Sequence, residues 1–128
     1  MDELATDEAS VMQLISEKAA DGIGLKASKH GGLTRARRLR DMCMTSGLTM
    51  SVQETAGSQV AFAALTHLGQ SIPHRNLRCV LDTRDMYPPI MAHVDIPVVD
   101  GRIRAPQTPG LGITINRDVV GEPVTVYR

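Results

Sequence analysis

The sequence predicts an α/β fold built on a parallel sheet, and three observations support this. Segments with the pattern of strands alternate with segments of helical periodicity over the first 81 residues, which is typical of βα units. Hydrophobic residues make up 42% of the 128 residues, enough for a packed core, and aromatic residues only 2%, so that core must be aliphatic. Most of the prolines fall between residues 83 and 108, where a different kind of structure is expected.

Three segments have the periodicity of helices. The first covers 7–20 and can be capped by Thr6, and the second runs from a cap at Thr34 to about residue 45. The third, 60–68, is apolar almost all round and is expected to be buried. The buried stripes of the first two helices are formed by Val11, Leu14, Ile15 and Ala19, and by Ala36, Leu39 and Cys43.

Three further segments are predicted to be strands: 22–29, 48–52 and 77–81. In the first, one face is apolar and the opposite face carries small residues and a lysine. The apolar face consists of Ile23, Leu25 and Ala27, and the other of Gly24, Lys26 and Ser28. Gly31-Gly32 ends this strand.

The C-terminal part does not have the pattern of another βα unit. Asp100-Gly101 is a good two-residue hairpin turn between apolar residues, and a Pro-Gly-Leu-Gly segment follows at 109–112. Asn116 can cap a short final helical turn. We expect residues 83–128 to form an irregular extension that covers part of the preceding structure.

The chain enters a loop and a helix directly after Asp2-Glu3, although a βα unit needs a strand before its helix. Three strands and a missing fourth make half of a (β/α)₈ TIM-type barrel, and a whole barrel needs about 250 residues. Residues 1–82 are therefore expected to form a partial barrel, and the sequence to be a fragment or to begin at a misplaced start.

Composition excludes several classes of function. Fourteen basic residues balance fourteen acidic ones, which argues against a general nucleic-acid or membrane-surface role. There is no apolar run of membrane-spanning length and no signal-peptide pattern at the N-terminus. Cys43 and Cys79 lack CxxC spacing and are expected to be two reduced thiols of a cytoplasmic protein.

Three polar residues fall at carboxyl ends of predicted strands, where catalytic groups of parallel α/β folds lie: Asp2, Lys26 and Asp82. Lys26 is expected to point into the barrel mouth beside small neighbours, where desolvation would lower its pKa toward that of a useful base. The alternative is a surface lysine at a strand end. By parity Lys29 would lie on the opposite face and reach solvent or a helix.

Other polar groups have simpler interpretations. Arg35, Arg37, Arg38 and Arg40 could bind phosphate, but such a run is more often the solvated face of an outer helix. His67 is expected to be a core histidine and not a metal ligand. His30, His74 and His93 show no ligand spacing, and the sequence has no GxSxG, Walker or GxGxxG motif.

Three ordered motifs resemble the C-terminal part of the mandelate racemase and muconate-lactonizing enzyme family of the enolase superfamily. They are Asp2-Glu3, the Leu25-Lys26 segment through Gly31-Gly32 and Thr34, and Pro109-Gly110-Leu111-Gly112. Asp2 and Lys26 are 24 residues apart, about the separation between the D-E pair and the L-K-x-x-K-x-G-G segment in that family. The resemblance covers nearly the whole chain and implies strands five to eight of the barrel.

The resemblance also implies roles. Asp2 matches the third carboxylate ligand of a catalytic Mg²⁺, and Lys26 matches the sixth-strand lysine that acts as acid or base. Asp82 matches, more loosely, a carboxylate that contacts substrate or a catalytic lysine. Glu3, Ser28 and Glu54 could line the same site. A sixth-strand lysine indicates the muconate-lactonizing branch, since the predicted strand 48–52 has no histidine.

The implied reaction is removal of a proton α to a carboxylate, followed by racemisation or epimerisation, dehydration, or cycloisomerisation. The substrate is expected to be a small carboxylate such as a proline-derived or other amino acid, with a sugar acid as the alternative. Two metal ligands, a second lysine and the capping domain are absent, so the Mg²⁺ site is incomplete and this chain alone is expected to be inactive. The parent enzyme is expected to be a homo-oligomer.

A different class of function stays open. The chain could be a small α/β module that binds a partner or ligand without catalysis. A sharp, cooperative thermal transition of the monomer would favour that interpretation. A half-barrel should instead expose sheet edges and self-associate.

Overall fold

The computed structural model of the chain describes residues 1–54, 57–86 and 89–127. Its regular elements alternate between helix and strand up to residue 80, as the sequence predicts. In chain order they are α1 (Glu8–Ser16), β1 (Gly22–Leu25), α2 (Leu33–Thr45), β2 (Thr49–Val52), α3 (Gln59–Gln70), β3 (Leu77–Val80), a 3₁₀ turn (Arg84–Met86), β4 (Ala92–Val94), β5 (Ile113–Ile115) and α4 (Arg117–Val120).

The first three strands form one parallel sheet in the order β1-β2-β3. Helix α2 connects β1 to β2, and α3 connects β2 to β3. Parallel neighbours in chain order, each joined through a helix, are the repeating unit of a (β/α)₈ barrel wall. The carboxyl ends of all three strands therefore lie along the same edge of the sheet.

Met1 extends this sheet on the free side of β1. Its backbone nitrogen donates to the carbonyl of Gly22 at 2.7 Å, and its carbonyl accepts from the Gly24 N–H at 2.8 Å. This is the bonding pattern of a residue paired in parallel with Ile23. The pairing places Asp2 directly beside the carboxyl end of β1.

The core is aliphatic and lies between the sheet and the helices. The stripe predicted for α2, namely Ala36, Leu39 and Cys43, is buried against it. Burial raises the pKa of the Cys43 thiol to about 11. The largest side chains that are fully enclosed in this cluster are Val11, Leu25, Leu39, Met50, Val52 and Leu65.

The predicted ends of the first helix are wrong at both termini. Asp7, not Thr6, is the N-cap, since its side chain accepts from the Ser10 N–H at 2.8 Å in a capping box. The helix ends at Ser16 and not near residue 20, because Lys18 adopts a left-handed conformation and the Ala19 N–H bonds back to the Leu14 carbonyl. That is a Schellman ending without the glycine that usually signals it.

Two other boundaries also differ from the prediction. Strand β1 stops at Leu25, and residues 27–31 form turns instead of continuing the strand to residue 29. Helix α2 begins two residues earlier than predicted, with Gly32 at the N-cap position in place of Thr34. Backbone hydrogen bonds within the turn, from the His30 N–H to the Lys26 carbonyl and from the Gly32 N–H to the Ala27 carbonyl, replace the extended backbone that the alternation suggested.

The C-terminal extension packs against α3. Strands β4 and β5 pair antiparallel, and Phe62 and Ala63 of α3 are buried with Ile96. The hairpin turn at Asp100-Gly101 is present but closes only an isolated bridge between Val99 and Arg102. Asn116 caps α4 by position, while its side chain donates to the Ile90 carbonyl instead.

Among the described residues, no helix combines the length and the apolar character needed to cross a membrane. The arginines of α2 at positions 35, 37 and 38 are exposed, as expected for a solvated face. Arg40 binds Asp41 of the same helix.

Candidate active site

Lys26 lies just past the end of β1, and its ammonium group contacts the two acidic residues at the start of the chain. Lys26 Nζ is 3.1 Å from Asp2 Oδ2 and 2.8 Å from Glu3 Oε1. The lysine is only 7% exposed, whereas the side chains of Asp2 and Glu3 that it contacts are more exposed to solvent. The structure therefore brings Asp2 and Lys26 to the same side of the sheet, where the sequence predicted that they would converge.

The side of the sheet on which Asp2 and Lys26 meet is the one toward which a side chain on Gly24 would point. A Cβ atom on Gly24 would lie 2.6 Å from Asp2 Oδ1 and would also collide with the Gln53 side-chain amide. Gly24 therefore leaves the space that these two polar groups occupy, as the predicted alternation of faces on β1 requires. Gln53 was not among the predicted site residues. The signal was its position directly after β2, level with the residues that follow β1.

Electrostatics at Lys26 differ from the prediction that burial would lower its pKa. The hydrogen bond to Glu3 and the contacts with Asp2 outweigh desolvation and raise the pKa of Lys26 above its usual value. Hydrogen bonds from Lys26 and Lys29 lower the pKa of Glu3 to about 2. Lys26 is thus held as an ammonium ion, because its contacts with two carboxylates outweigh the desolvation on which the prediction relied.

Lys29 does not point to the opposite face, which corrects the prediction from parity. Its Nζ donates to the Asp2 carbonyl at 3.0 Å and to Glu3 Oε2 at 3.2 Å. The alternation of a strand ends with β1 at Leu25, and the following turn swings Lys29 back toward the same loop. Glu3 is consequently shared between two ammonium groups.

The same turn is tied to β2 through Ser28. The Glu54 carboxylate accepts from the Ser28 N–H at 3.2 Å and also from the Ser28 hydroxyl. Glu54 is buried although it carries a carboxylate. Ser28 and Glu54 were both candidates for lining the site, and the structure brings them together beside the carboxyl ends of β1 and β2.

His30, at the end of the turn, is buried, and each of its two ring nitrogens takes part in one hydrogen bond. Nδ1 accepts from the Lys26 N–H at 3.2 Å, and Nε2 lies 2.7 Å from the Ala5 carbonyl oxygen. The spacing of the histidines in the sequence indicated only that His30 is not a metal ligand. His67, predicted as a core histidine, is partly buried with Nε2 3.3 Å from the Leu111 carbonyl oxygen.

Asp82 is not brought into contact with Lys26 or Asp2. Its carboxylate receives two bonds from the Arg84 guanidinium, at 2.9 and 2.6 Å, and this ion pair lowers the pKa of Asp82. Asp82 follows β3, two strand spacings or about 10 Å from the end of β1. It lines a separate cavity of about 500 Å³ with residues that include Gln59, Arg84 and His93.

One atom of the site suits a metal ligand. Asp2 Oδ1 is buried and has no hydrogen-bond partner among the described residues. An unpartnered buried carboxylate oxygen is costly unless a cation or donor completes it, and hard divalent cations prefer such oxygens. The described part of the chain contains no cluster of three or more potential ligands, so the carboxylate of Asp2 fits one position of a Mg²⁺ site and no more.

Comparison with known proteins identifies the family of the chain. Residues 1–119 match the family model described as enolase C-terminal domain-like. The chain belongs to that family. The resemblance to mandelate racemase and muconate-lactonizing enzymes is therefore confirmed, and the parallel βα units are part of an α/β barrel.

Curated relatives of this enolase-like chain are enzymes. It is 37% identical over 127 residues to the cis-3-hydroxy-L-proline dehydratase of Roseibium aggregatum. The match covers 99% of this chain and 35% of the dehydratase. It is 28% identical to an N-succinyl-L-Arg/Lys racemase of Bacillus cereus, over all of this chain and 34% of the racemase. The chain thus spans about a third of the length of these relatives.

Solved structures show the same fold at higher identity. A protein of Aspergillus oryzae assigned to the mandelate racemase/muconate lactonizing enzymes superimposes with a TM-score of 0.92 at 53% identity, covering 98% of this chain and 35% of that one. A Roseovarius nubinhibens protein with the same assignment, solved in complex with magnesium, gives 0.92 at 48% identity over 97% and 34% of the two chains.

Proposed function

We propose that this chain supplies the acid–base lysine and one Mg²⁺ ligand to an enzyme that removes a proton α to the carboxylate of a small molecule. The observation that carries the proposal is the contact between Lys26 and Asp2 on the face that Gly24 leaves open. In this proposal residues 1–82 form part of the barrel wall and residues 83–128 an extension. The homo-oligomeric state and the cytoplasmic location remain predictions.

The chemistry requires both residue types. A proton α to a carboxylate is very weakly acidic, and its removal leaves two negative charges on the substrate. Asp2 is the residue of this chain that would hold Mg²⁺, and the bound ion would stabilise that charge. The Lys26 amine would take the proton, and its ammonium form would return it to the carbon or protonate a departing β-hydroxyl.

The described geometry favours the ammonium form of Lys26, because Asp2 and Glu3 both contact it. That form is the proton donor. The neutral amine needed to accept the substrate proton becomes more abundant as those contacts are weakened. Glu3 is therefore proposed to regulate the proton affinity of Lys26, and Lys29 competes with Lys26 for the Glu3 carboxylate.

A cyclic amino acid such as 3-hydroxyproline is the proposed substrate. The 37% identity to the Roseibium aggregatum dehydratase supports this choice. Asp82 follows β3 at the same edge of the sheet and is proposed to receive the substrate ammonium group once Arg84 releases it. A sugar acid is the alternative, for which no such acceptor is needed.

The test is a graft in which this chain replaces the matched 127-residue region of that dehydratase. The graft is incubated with Mg²⁺ in D₂O with cis-3-hydroxy-L-proline, with other amino acids and with sugar acids. NMR then follows α-deuterium incorporation and the product. We expect activity on the cyclic amino acid and a loss of about 10²–10⁴-fold in K26M.

The matched control is K18M, which alters an exposed lysine in the turn after α1 and should leave the rate unchanged. If a folded graft that binds Mg²⁺ exchanges no α-proton on any member of the panel, the proposal is wrong. Turnover of sugar acids alone would retain the reaction class and reject the proposed substrate.

A further inference from the structure

We propose that His30 is a positioning residue that fixes the turn carrying Lys26 against the loop carrying Asp2 and Glu3. The inference deepens the proposed function and rests on it for its catalytic meaning. Its structural content is a bridge through one imidazole ring between two segments that are far apart in the sequence. No substrate or cofactor needs to contact His30 for this role.

The bridge is continuous from one segment to the other. The Lys26 N–H donates to His30 Nδ1 at 3.2 Å, and His30 Nε2 lies 2.7 Å from the Ala5 carbonyl. Ala5 is fully buried, and its own N–H bonds to the Asp2 carbonyl at 3.3 Å. The backbones of the acid–base residue and of the carboxylate are thereby connected through three hydrogen bonds.

The partners determine the state of the ring. A carbonyl oxygen only accepts, so Nε2 must carry the proton, and the Lys26 N–H needs a bare Nδ1. The bridge therefore requires a neutral imidazole with its proton on Nε2. With 4% of its surface exposed, His30 offers no route for water to replace either bond.

The bridge does not use the functional atoms of the site. Salt bridges from Lys26 and Lys29 to Asp2 and Glu3 also connect the two segments. Those contacts must rearrange when Asp2 binds a cation or Lys26 transfers a proton. The backbone bonds through His30 are unaffected by either event, so they can hold the two segments in register during the reaction.

The test separates the two ends of the bridge. Asparagine at position 30 can accept from the Lys26 N–H but is too short to reach Ala5, whereas glutamine places its amide near the position of Nε2. Phenylalanine removes both bonds and retains the volume. Amide hydrogen exchange by NMR is measured on the full chain as H30N, H30Q and H30F, with the Leu65 amide of α3 as the core reference.

We expect Lys26 amide exchange to accelerate by about tenfold or more in H30F and H30Q, as for the loss of one net hydrogen bond. H30N should retain most of the protection. H67F, which removes the imidazole contacting the Leu111 carbonyl, should leave the Lys26 amide unchanged. Wild-type protection of the Lys26 amide in H30F, or an Nδ1–H tautomer in the ¹⁵N spectrum, would overturn the inference.

If H30F does not fold, the contrast between H30N and H30Q decides instead, and equal Lys26 protection in the two would overturn the bridge. In the graft, H30F should lower kcat by about 10–100-fold with KM changed by less than about threefold, and H30N should recover part of the loss. An unchanged kcat in H30F would overturn the positioning role of His30. A wild-type graft without activity would reject the proposed function, while the amide exchange result would stand on its own.

Discussion

Asp2 Oδ1 lies over Gly24, so close that a Cβ atom on the glycine would be 2.6 Å from it. The atoms in the way are the ends of two side chains, Asp2 and Gln53, which can move. Gly22 differs, because its added Cβ would lie 2.6 Å from the backbone carbonyl oxygen of Thr49, which cannot move without disturbing the sheet.

We therefore expect G24A and G22A to separate function from stability. G24A should displace Asp2, lower Mg²⁺ affinity and activity of the graft by at least about tenfold, and change the melting temperature little. G22A should lower the melting temperature strongly. Calorimetry and Mg²⁺ titration measure the two effects, and equal destabilisation by both changes would contradict the account.

A second prediction concerns the buried pair of Ser28 and Glu54. S28A removes the hydroxyl that donates a hydrogen bond to Glu54, and it leaves a buried carboxylate oxygen without that donor. The free energy of unfolding should fall by about 1–3 kcal/mol, and the loss should be smaller in a chain that already carries E54Q. Denaturant titration of the two single variants and the double variant measures the coupling.

The control for that cycle is S46A, since Ser46 is exposed after α2 and its side chain makes no hydrogen bond to any described residue; this change should alter stability by less than about 0.5 kcal/mol. Additive effects of S28A and E54Q would show that the two residues do not stabilise each other.

The third prediction concerns pH. The pKa of Glu3 is lowered from 4.5 to about 2, so its contribution to stability is complete above pH 4.5 and is lost as the pH falls toward 2. The pKa of Lys26 is raised, so its contribution is present below pH 10.5 and is lost as the pH rises through the raised value. Removing the Glu3 charge should therefore weaken the dependence of the unfolding free energy on pH at acidic pH.

The measurement is the unfolding free energy of the wild type and of E3Q between pH 2 and pH 6. The two curves should approach each other as the pH falls toward the Glu3 pKa of about 2 and separate as the pH rises. Glu122, an exposed acid near the C-terminus, provides the comparison through E122Q. Parallel curves for wild type and E3Q would mean that Glu3 forms no pH-dependent interaction.

Much of this site follows from local sequence patterns. The alternation predicted for residues 22–29 places Gly24 and Lys26 on one face, and the family resemblance implies that Asp2 and Lys26 follow neighbouring strands. Lys29 could not be placed in this way, because the strand ends at Leu25 and parity has no meaning in a turn. The raised pKa of Lys26 likewise depends on Glu3, whose position only the folded loop determines.

Long-range contacts account for the other differences. His30 needs the Ala5 carbonyl, 25 residues away, and no spacing rule indicates a backbone partner. Strands β4 and β5 pair across about twenty residues, although the local turn at Asp100-Gly101 suggested a hairpin there. The Schellman ending of α1 at Lys18 lacks a glycine, so its sequence signal was missing.

The most direct test of the central claim is a double-mutant cycle on α-deuterium incorporation by the graft. If Asp2 and Lys26 serve one step, K26M and D2N should each abolish most of the exchange, and the double variant should lose little more than either alone. Independent losses that multiply in the double variant, or a K26M graft that exchanges at the wild-type rate, would contradict a shared site.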